Sequence, residues 1–166
     1  MDRIVGIDYG RSRSGIAVSD PLGIFASALE TVPAAKIIEY LKNYAAAEGI
    51  KRFVVGYPRN MDGLPSEAAE DVDAFVVKLR AAFPGVEVDL EDERFTSVLA
   101  HRVMIDGGMK ASRRREKESV DKISATIILQ SWLDRRAGPA AINPEEVPDT
   151  LSSAHGRIGK RKKTKK

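Results

Sequence analysis

The chain has 166 residues, of which 43% are hydrophobic and 31% charged, and a net charge of +3, as expected of one soluble globular domain with a substantial core. It contains no cysteine, which excludes disulfides and thiolate metal sites, and no apolar run reaches the ~18 residues of a membrane-spanning helix. The first strand-like run starts at Arg3 and leaves no room for a signal peptide, so we expect a cytoplasmic protein.

The first half of the chain begins with three predicted strands. Arg3–Tyr9 and Gly15–Ser19 are apolar runs joined by the tight turn "GRSRSG", and residues 25–32 form a third run. Their short connections favour antiparallel neighbours. After them the spacing of apolar residues predicts a helix that ends at Gly49. Its apolar face is formed by Ile37, Ile38, Leu41, Tyr44 and Ala45. A short buried strand is predicted at 51–58.

The second half alternates helices and strands. A helical stripe ends at Pro84 and consists of Ala69, Val72, Val76, Leu79 and Phe83, and residues 86–90 alternate as a strand. A further helix is predicted from Thr96 or Ser97 to Gly107. The last helix is predicted from Ser119 to Arg136, with Val120, Ile123 and Ile127 turned inward and Ile128 as a further candidate.

This order predicts an α/β fold, namely a mixed five-stranded sheet flanked by helices. The order is typical of the ribonuclease H-like fold, and also of one half of an actin-like or sugar-kinase ATPase. Those ATPases need two such halves, whereas this chain is expected to form one domain.

The charge is distributed unevenly toward the end of the chain. Residues 155–166 carry seven Lys and Arg and no acid, which leaves 20 basic against 24 acidic residues, or −4, in residues 1–154. We therefore expect a domain at 1–137 and a disordered extension at 138–166. Its lysine-rich tail either binds nucleic acid through the phosphates or is simply solvated.

Asp8 interrupts an apolar strand, which is costly unless the carboxylate is paired, hydrogen-bonded or bound to a metal ion. Gly6 and Gly10 flank it, and we expect them to leave space for a phosphate and its metal ion. The alternative is that Asp8 only caps a turn. Asp20, at the end of the second strand, is expected to cap the turn at Pro21.

A second group of acids lies in "LEDERFTS" (90–97), where the fifth strand should end. Strand ends that lead into loops are where α/β proteins place their sites. One acid could hold a cation while Arg94 and a hydroxyl such as Thr96 bind phosphate oxygens. Spacing alone does not choose among Glu91, Asp92 and Glu93, and a solvated acidic strand edge remains the alternative.

Asp121 is the third isolated acid, in the predicted first turn of the last helix. Its helical face otherwise carries Ala125, Ile128 and Trp132, which indicates that it points toward the sheet. A favourable interaction with the helix dipole is the structural alternative. Asp8, one acid of 91–93 and Asp121 come from three different elements. Mg²⁺ or Mn²⁺ requires oxygen ligands of this kind, and such ions can activate water for phosphodiester hydrolysis.

Two loops offer groups for binding a polyanion. "GYPRNMDG" (56–63) places Arg59 beside a strand end, although it could be an ordinary connection. "SRRREK" (112–117) places Arg113, Arg114 and Arg115 just before Asp121, although basic loops are often only solvated.

Four segments together resemble the YqgF-type family of ribonuclease H-like proteins, described as Holliday junction resolvases and as pre-16S ribosomal RNA nucleases. They are "GIDYGRSRSGIAVSD", "VVGYPRNMDG", "DERFTS" and "VDKISATIILQSWLD", in the family's order and within residues 4–134. One departure is Ser14, where an apolar residue is expected.

The resemblance implies a bacterial cytoplasmic nuclease with a divalent-metal site formed by Asp8, Glu93 and Asp121. It favours processing of a ribosomal RNA precursor over resolution of branched DNA, which would need two paired active sites. A homodimer is left open, and no membrane partner is expected. A nucleic-acid-binding module without catalysis, with the three acids kept as fold elements, is the other alternative.

Overall fold

The computed structural model describes residues 2–60, 62–93 and 117–138, with side chains of the last range from Val120 onward. The five strands are β1 (Arg3–Asp8), β2 (Arg13–Ser19), β3 (Ala26–Pro33), β4 (Ile50–Tyr57) and β5 (Glu87–Asp92). They form one sheet in the order β3-β2-β1-β4-β5. The β1–β2 and β2–β3 pairs are antiparallel, whereas β1–β4 and β4–β5 are parallel. The predicted mixed five-stranded sheet is therefore confirmed.

Three helices in the described part of the chain flank this sheet. They are α1 (Ile37–Glu48), after a 3-10 turn at Ala34–Lys36, α2 (Ala68–Ala82) and α3 (Lys117–Ala137). The helix predicted from Thr96 or Ser97 to Gly107 lies outside the described residues. Within the described ranges, none of the helices combines the length and the apolar character needed to cross a membrane.

The helices divide the core between the two faces of the sheet. Alternation along β1 turns Val5 and Ile7 toward α1 and α2, where they pack with Phe53. It turns Ile4 toward α3, where it packs with Leu129. Asp8 is four residues after Ile4 on the same strand, so it lies on the same face. The side chain of Asp8 is therefore on the side of the sheet that α3 covers.

The inward face of α3 differs from the predicted stripe. Val120, Ile123 and Ile127 are only half-buried. The buried side chains of the helix are Ala125, Ile128, Leu129, Trp132 and Leu133. The reason lies in the sheet, because a Cβ on Gly6 would come within 2.6 Å of the Leu129 Cβ and 3.0 Å of the Ala125 carbonyl oxygen. The helix is seated where β1 has no side chain.

The glycines around Asp8 consequently do not open space for a ligand, and that expectation is wrong. Gly6 admits α3, as just described. A Cβ on Gly10 would lie 2.5 Å from the Arg13 carbonyl oxygen, so this glycine allows the tight β1–β2 turn to close. The same turn accounts for Ser14, which stands where the family pattern has an apolar residue. Its buried hydroxyl accepts a hydrogen bond from the Gly10 N–H at 3.3 Å.

Asp20 has the capping role predicted for it. Its carboxylate accepts hydrogen bonds from the N–H groups of Leu22, Ile24 and Phe25 at 2.7–3.2 Å. These bonds lower the pKa of Asp20. Asp20 therefore orders the β2–β3 connection and takes no part in the acidic site described below.

Candidate active site

The carboxyl ends of the parallel strands β1, β4 and β5 bring two acids together. Asp8 is the last residue of β1, and Glu93 follows β5, where its N–H donates to the Tyr57 carbonyl oxygen at 3.1 Å. The Glu93 carboxylate lies over Gly56 of β4, and a Cβ at that position would overlap it. The side chains of Asp8 and Glu93 are hydrogen-bonded to each other. Gly56 thus provides the space through which Glu93 reaches Asp8 across the intervening strand.

The neighbouring acids of the 91–93 group have other contacts. Glu91 is only 3% exposed and accepts a hydrogen bond from the Ser131 hydroxyl at 3.2 Å. It also forms an ion pair with Arg135 of α3. Asp92 has the opposite parity and lies 3.9 Å from Arg59. Glu91 therefore anchors α3 to the sheet, and of the three acids it is Glu93 that contacts Asp8.

Asp121 lies on the same side of the sheet, at the amino-terminal end of α3. Gly15 of β2 pairs with Asp8, and a Cβ on Gly15 would overlap the carbonyl group of Asp121. Because α3 begins at Lys117, Asp121 is in its second turn, so the expected first-turn position is wrong. The helix dipole acts mainly within the first turn and does not explain this acid.

Arg13 forms a contact in the site that sequence reasoning missed. Its Nε donates to the Asp121 Oδ2 at 2.9 Å. The two residues are 108 positions apart, so no local pattern could have linked them. Two arginines in the turn "GRSRSG" were the only available signal, and the exposed Arg11 pairs instead with Asp71 at 2.5 Å.

Burial dominates the electrostatics of the acid pair. It raises the pKa of Asp8 from its ordinary value of 3.8 to about 8, and the charge of Glu93, its hydrogen bond and the charge of Asp121 add to the rise. Burial also raises the pKa of Glu93, whereas the hydrogen bond with Asp8 acts in the opposite direction. Without a cation, burial and the charge of Glu93 thus favour the protonated form of Asp8.

The donor chemistry suits a hard divalent cation. Asp8, Glu93 and Asp121 offer only oxygen atoms, on rigid elements, which is what Mg²⁺ and Mn²⁺ prefer. Across the described ranges, no three acid, histidine or cysteine side chains are grouped closely enough to hold an ion as they stand. A divalent ion would relieve the mutual repulsion of the carboxylates.

The predicted substrate-binding residues divide into two groups. Arg59 is described: its Nη1 donates to the Gly63 carbonyl oxygen at 3.1 Å, and its guanidinium lies 5.3 Å from the centre of the Tyr57 ring. The others lie outside the described residues, and these are Arg94, Thr96, Arg113, Arg114 and Arg115. Their roles stay predictions.

An open cleft lies at this end of the sheet, between the β1–β2 turn and the start of α2. It has a volume of about 680 Å³ and is lined by Tyr9 and Gly10, directly after Asp8, and by Asn60 and Ser66 at the start of α2. A second cleft, of about 670 Å³, lies at the opposite end of the sheet near Ile4. Asp8, Glu93 and Asp121 do not line either of these clefts.

Known proteins match both the sequence and the fold. Residues 2–135 match the model of the RuvX family, described as "Holliday junction resolvase". A Bacteroides fragilis protein named "Putative pre-16S rRNA nuclease" is 47% identical over 136 residues, which cover 82% of this chain and 99% of that protein. A relative of the same name from Azobacteroides pseudotrichonymphae is 49% identical over 134 residues, covering 81% and 97%.

The fold is similar to that of Thermus thermophilus RuvC in complex with a Holliday junction substrate, with a TM-score of 0.50 and 17% identity. That match covers 83% of this chain and 97% of the RuvC chain. It confirms the predicted ribonuclease H-like fold. From the match of residues 2–135 and the identity to curated relatives, the chain belongs to the RuvX (YqgF-type) family.

Proposed function

We propose that this protein is an endonuclease dependent on Mg²⁺ or Mn²⁺ that hydrolyses phosphodiester bonds in structured nucleic acid, and that its substrate is the precursor of 16S ribosomal RNA. The observation that carries the proposal is the buried Asp8–Glu93 pair with Asp121 on the same side of the sheet. The names of the curated relatives support the substrate. Such a substrate would place the protein in the bacterial cytoplasm.

Asp8, Glu93 and Asp121 are the residues that would hold the ion. When bound, a divalent ion supplies an activated water and charge stabilisation at the leaving oxygen. The sheet keeps Asp8 and Glu93 fixed, because one ends β1 and the other is hydrogen-bonded through its backbone to Tyr57. Rigid placement of this kind lowers the cost of assembling the transition state.

The substrate would be held by cationic side chains around the acids. Arg94, directly after Glu93, and Thr96, two residues further on, are proposed to bind phosphate oxygens near the cleaved bond. Arg59 and the loop residues Arg113, Arg114 and Arg115 are proposed to bind the flanking backbone. Phosphate contacts hold a nucleic acid in register without reading its sequence.

Glu93→Gln is expected to reduce Mn²⁺-dependent cleavage by on the order of 10²-fold or more, because the ion loses a charged ligand. Nucleic-acid binding should stay intact or become tighter, since a negative charge near the phosphates is removed.

Arg94→Ala should weaken binding and cleavage together by about 10-fold or more, because a hydrogen bond to a charged group is lost. Direct binding and single-turnover cleavage of a pre-16S RNA fragment measure both effects.

The matched control for Glu93→Gln is Glu30→Gln, which also removes one carboxylate. Glu30 is on β3, the edge strand opposite to β5 in the sheet. This variant should cleave at the wild-type rate. If Glu93→Gln also cleaved at that rate, the mechanism would have to be rebuilt around another acid. If the wild-type protein bound RNA but did not cleave it, the non-catalytic binding module would be the better description.

A second candidate function is resolution of four-way DNA junctions, which the description of the family model favours. Resolution needs two active sites acting on opposed strands and hence a homodimer. Cleavage of a synthetic junction and of the RNA fragment under the same conditions distinguishes the two substrates. Sedimentation with and without the junction shows whether two chains bind it together.

The end of the chain is proposed to contribute binding and not chemistry. We propose the catalytic domain at 1–137 and a disordered extension at 138–166. Deletion of residues 155–166, which carry seven basic residues, should weaken nucleic-acid binding and leave cleavage of bound substrate unchanged. Each lost contact with duplex phosphates should lower the slope of log affinity against log salt by about 0.9. An unchanged slope would mean that the tail is inert.

A further inference from the structure

Arg13 lies next to the acids on the side of the sheet that α3 covers. It is two residues before Gly15 on β2, so the two positions share a face of the strand. Gly15 pairs with Asp8 across β1 and β2 and lies against the backbone of Asp121. The Arg13 guanidinium is therefore on the same face of the sheet as Asp8 and in direct contact with Asp121.

The ion pair between Arg13 and Asp121 contributes little to stability. The side chains are 32% and 25% exposed, and ion pairs that water reaches usually contribute about 0–1 kcal/mol. Only Nε of the guanidinium bonds to Asp121 in this pair. The two Nη atoms carry four further N–H donors.

The Asp121 carboxylate supplies one negative charge between the Arg13 guanidinium and a bound divalent cation, and a second anion there would reduce their repulsion further. A phosphodiester supplies that anion, with one non-bridging oxygen toward the ion and the other toward the guanidinium fork. Arginine suits this arrangement because its planar donors match two oxygen atoms of a phosphate.

We propose, on the basis of the nuclease function above, that Arg13 binds a non-bridging oxygen of the phosphate to be cleaved, and that Asp121 holds its guanidinium in place through Nε. The charge on the phosphate oxygens increases as the attacking oxygen approaches, so the contact strengthens toward the transition state. Arg13 is thus a substrate-binding residue that the sequence pattern did not identify, in addition to Arg94.

The test compares Arg13→Ala and Arg13→Lys with Arg80→Ala. Arg80 lies exposed in the last turn of α2, at the other end of the sheet, and its removal changes the net charge by the same amount. Binding of a pre-16S RNA fragment is measured in EDTA over a range of salt, and single-turnover cleavage is measured with Mn²⁺. The EDTA measurement does not depend on a loaded metal site.

Arg13→Ala should weaken metal-free binding by about 10-fold and lower the salt slope by about one contact, or 0.7–0.9. Its cleavage should fall by on the order of 10²-fold, as for loss of one donor to a developing oxyanion. Arg13→Lys should recover the binding but less of the cleavage, because a point charge cannot bond to Asp121 and phosphate with the same geometry. Arg80→Ala should match the wild type.

Binding and salt slope equal to those of Arg80→Ala would overturn the assignment. So would a loss of Mn²⁺ affinity, measured by calorimetry, without a change in metal-free binding, since Arg13 would then only orient Asp121. Failure of the wild-type protein to cleave would contradict the proposed function instead, and the EDTA measurement would still decide whether Arg13 contacts phosphate. The Lys variant keeps the test valid if the Ala variant folds poorly.

Discussion

Asp8→Asn is expected to abolish metal-dependent cleavage and at the same time to stabilise the metal-free protein at neutral pH. The loss of cleavage should be on the order of 10³-fold or more, because an amide is a poor ligand and the ion supplies several kcal/mol of transition-state stabilisation. The gain in stability has a separate cause. Asn is neutral at every pH, whereas Asp8 must take up a proton on folding at neutral pH, because burial and the charges of Glu93 and Asp121 raise its pKa.

The raised pKa of Asp8 should make the stability of the wild-type protein depend on pH. The pKa of Asp8 is about 8 in the folded protein, against 3.8 for an ordinary aspartate. Between pH 3.8 and about pH 8, Asp8 keeps its proton in the folded protein and loses it in the unfolded chain. The free energy of unfolding therefore falls as the pH rises. The contribution is fully present below about pH 4 and is lost by about pH 8.

Melting temperatures in EDTA between pH 5 and pH 8 measure this contribution. The melting temperature of the wild-type protein should fall from pH 5 to pH 8. The melting temperature of Asp8→Asn should fall less and should be the higher of the two at pH 8. Asp92→Asn is the matched control, because Asp92 has the opposite parity and lies beside Arg59. It should not stabilise the protein. A wild-type rate of cleavage by Asp8→Asn would contradict the site, and equal pH dependence of the two proteins would contradict the raised pKa of Asp8.

Gly15→Ala is expected to destabilise the protein by about 3 kcal/mol and to impair cleavage. The new methyl group would overlap the carbonyl group of Asp121, so α3 would have to move away from β2. Backbone atoms cannot rotate aside as the end of a side chain can. Because Asp121 lies at this contact, its displacement should also lower Mn²⁺ affinity.

The melting temperature should fall by roughly 6–12 °C for a chain of this size. Gly85→Ala is the control: its methyl group would meet nothing within 4 Å, and its φ of 92° allows a cost of only about 1–2 kcal/mol from strain. Equal melting temperatures for the two variants would show that α3 does not rest on β2 at Gly15.

The sequence alone was sufficient for the order and type of the described elements. The switch from period 2 to a helical period after Pro33, and the turn residues at Gly49 and Pro84, predicted the mixed sheet that the structure confirms. Such signals work because they depend on neighbours within a few residues. Errors appeared where several faces were equally apolar, as on α3, and the sheet selected the buried face through Gly6.

Asp8 was recognisable as a candidate because a carboxylate in an apolar strand needs a partner, which is a local argument. The partner itself was not local. Alternation placed Glu91 and Glu93 on one face, but only the packing of α3 directs Glu91 to Ser131 and leaves Glu93 over Gly56 beside Asp8. The resemblance to the family chose Glu93, whereas the spacing of residues could not.

Arg13 shows most clearly what the tertiary structure decides. Its turn sequence does not distinguish it from Arg11, yet one arginine contacts Asp121 and the other contacts Asp71. The difference follows from the pleat of β2, which directs Arg13 toward α3, and from the contact of α3 with Gly15. The sequence determined which residues can carry charge at the ends of the elements. The packing of a helix more than 100 residues away decided which of those charges meet.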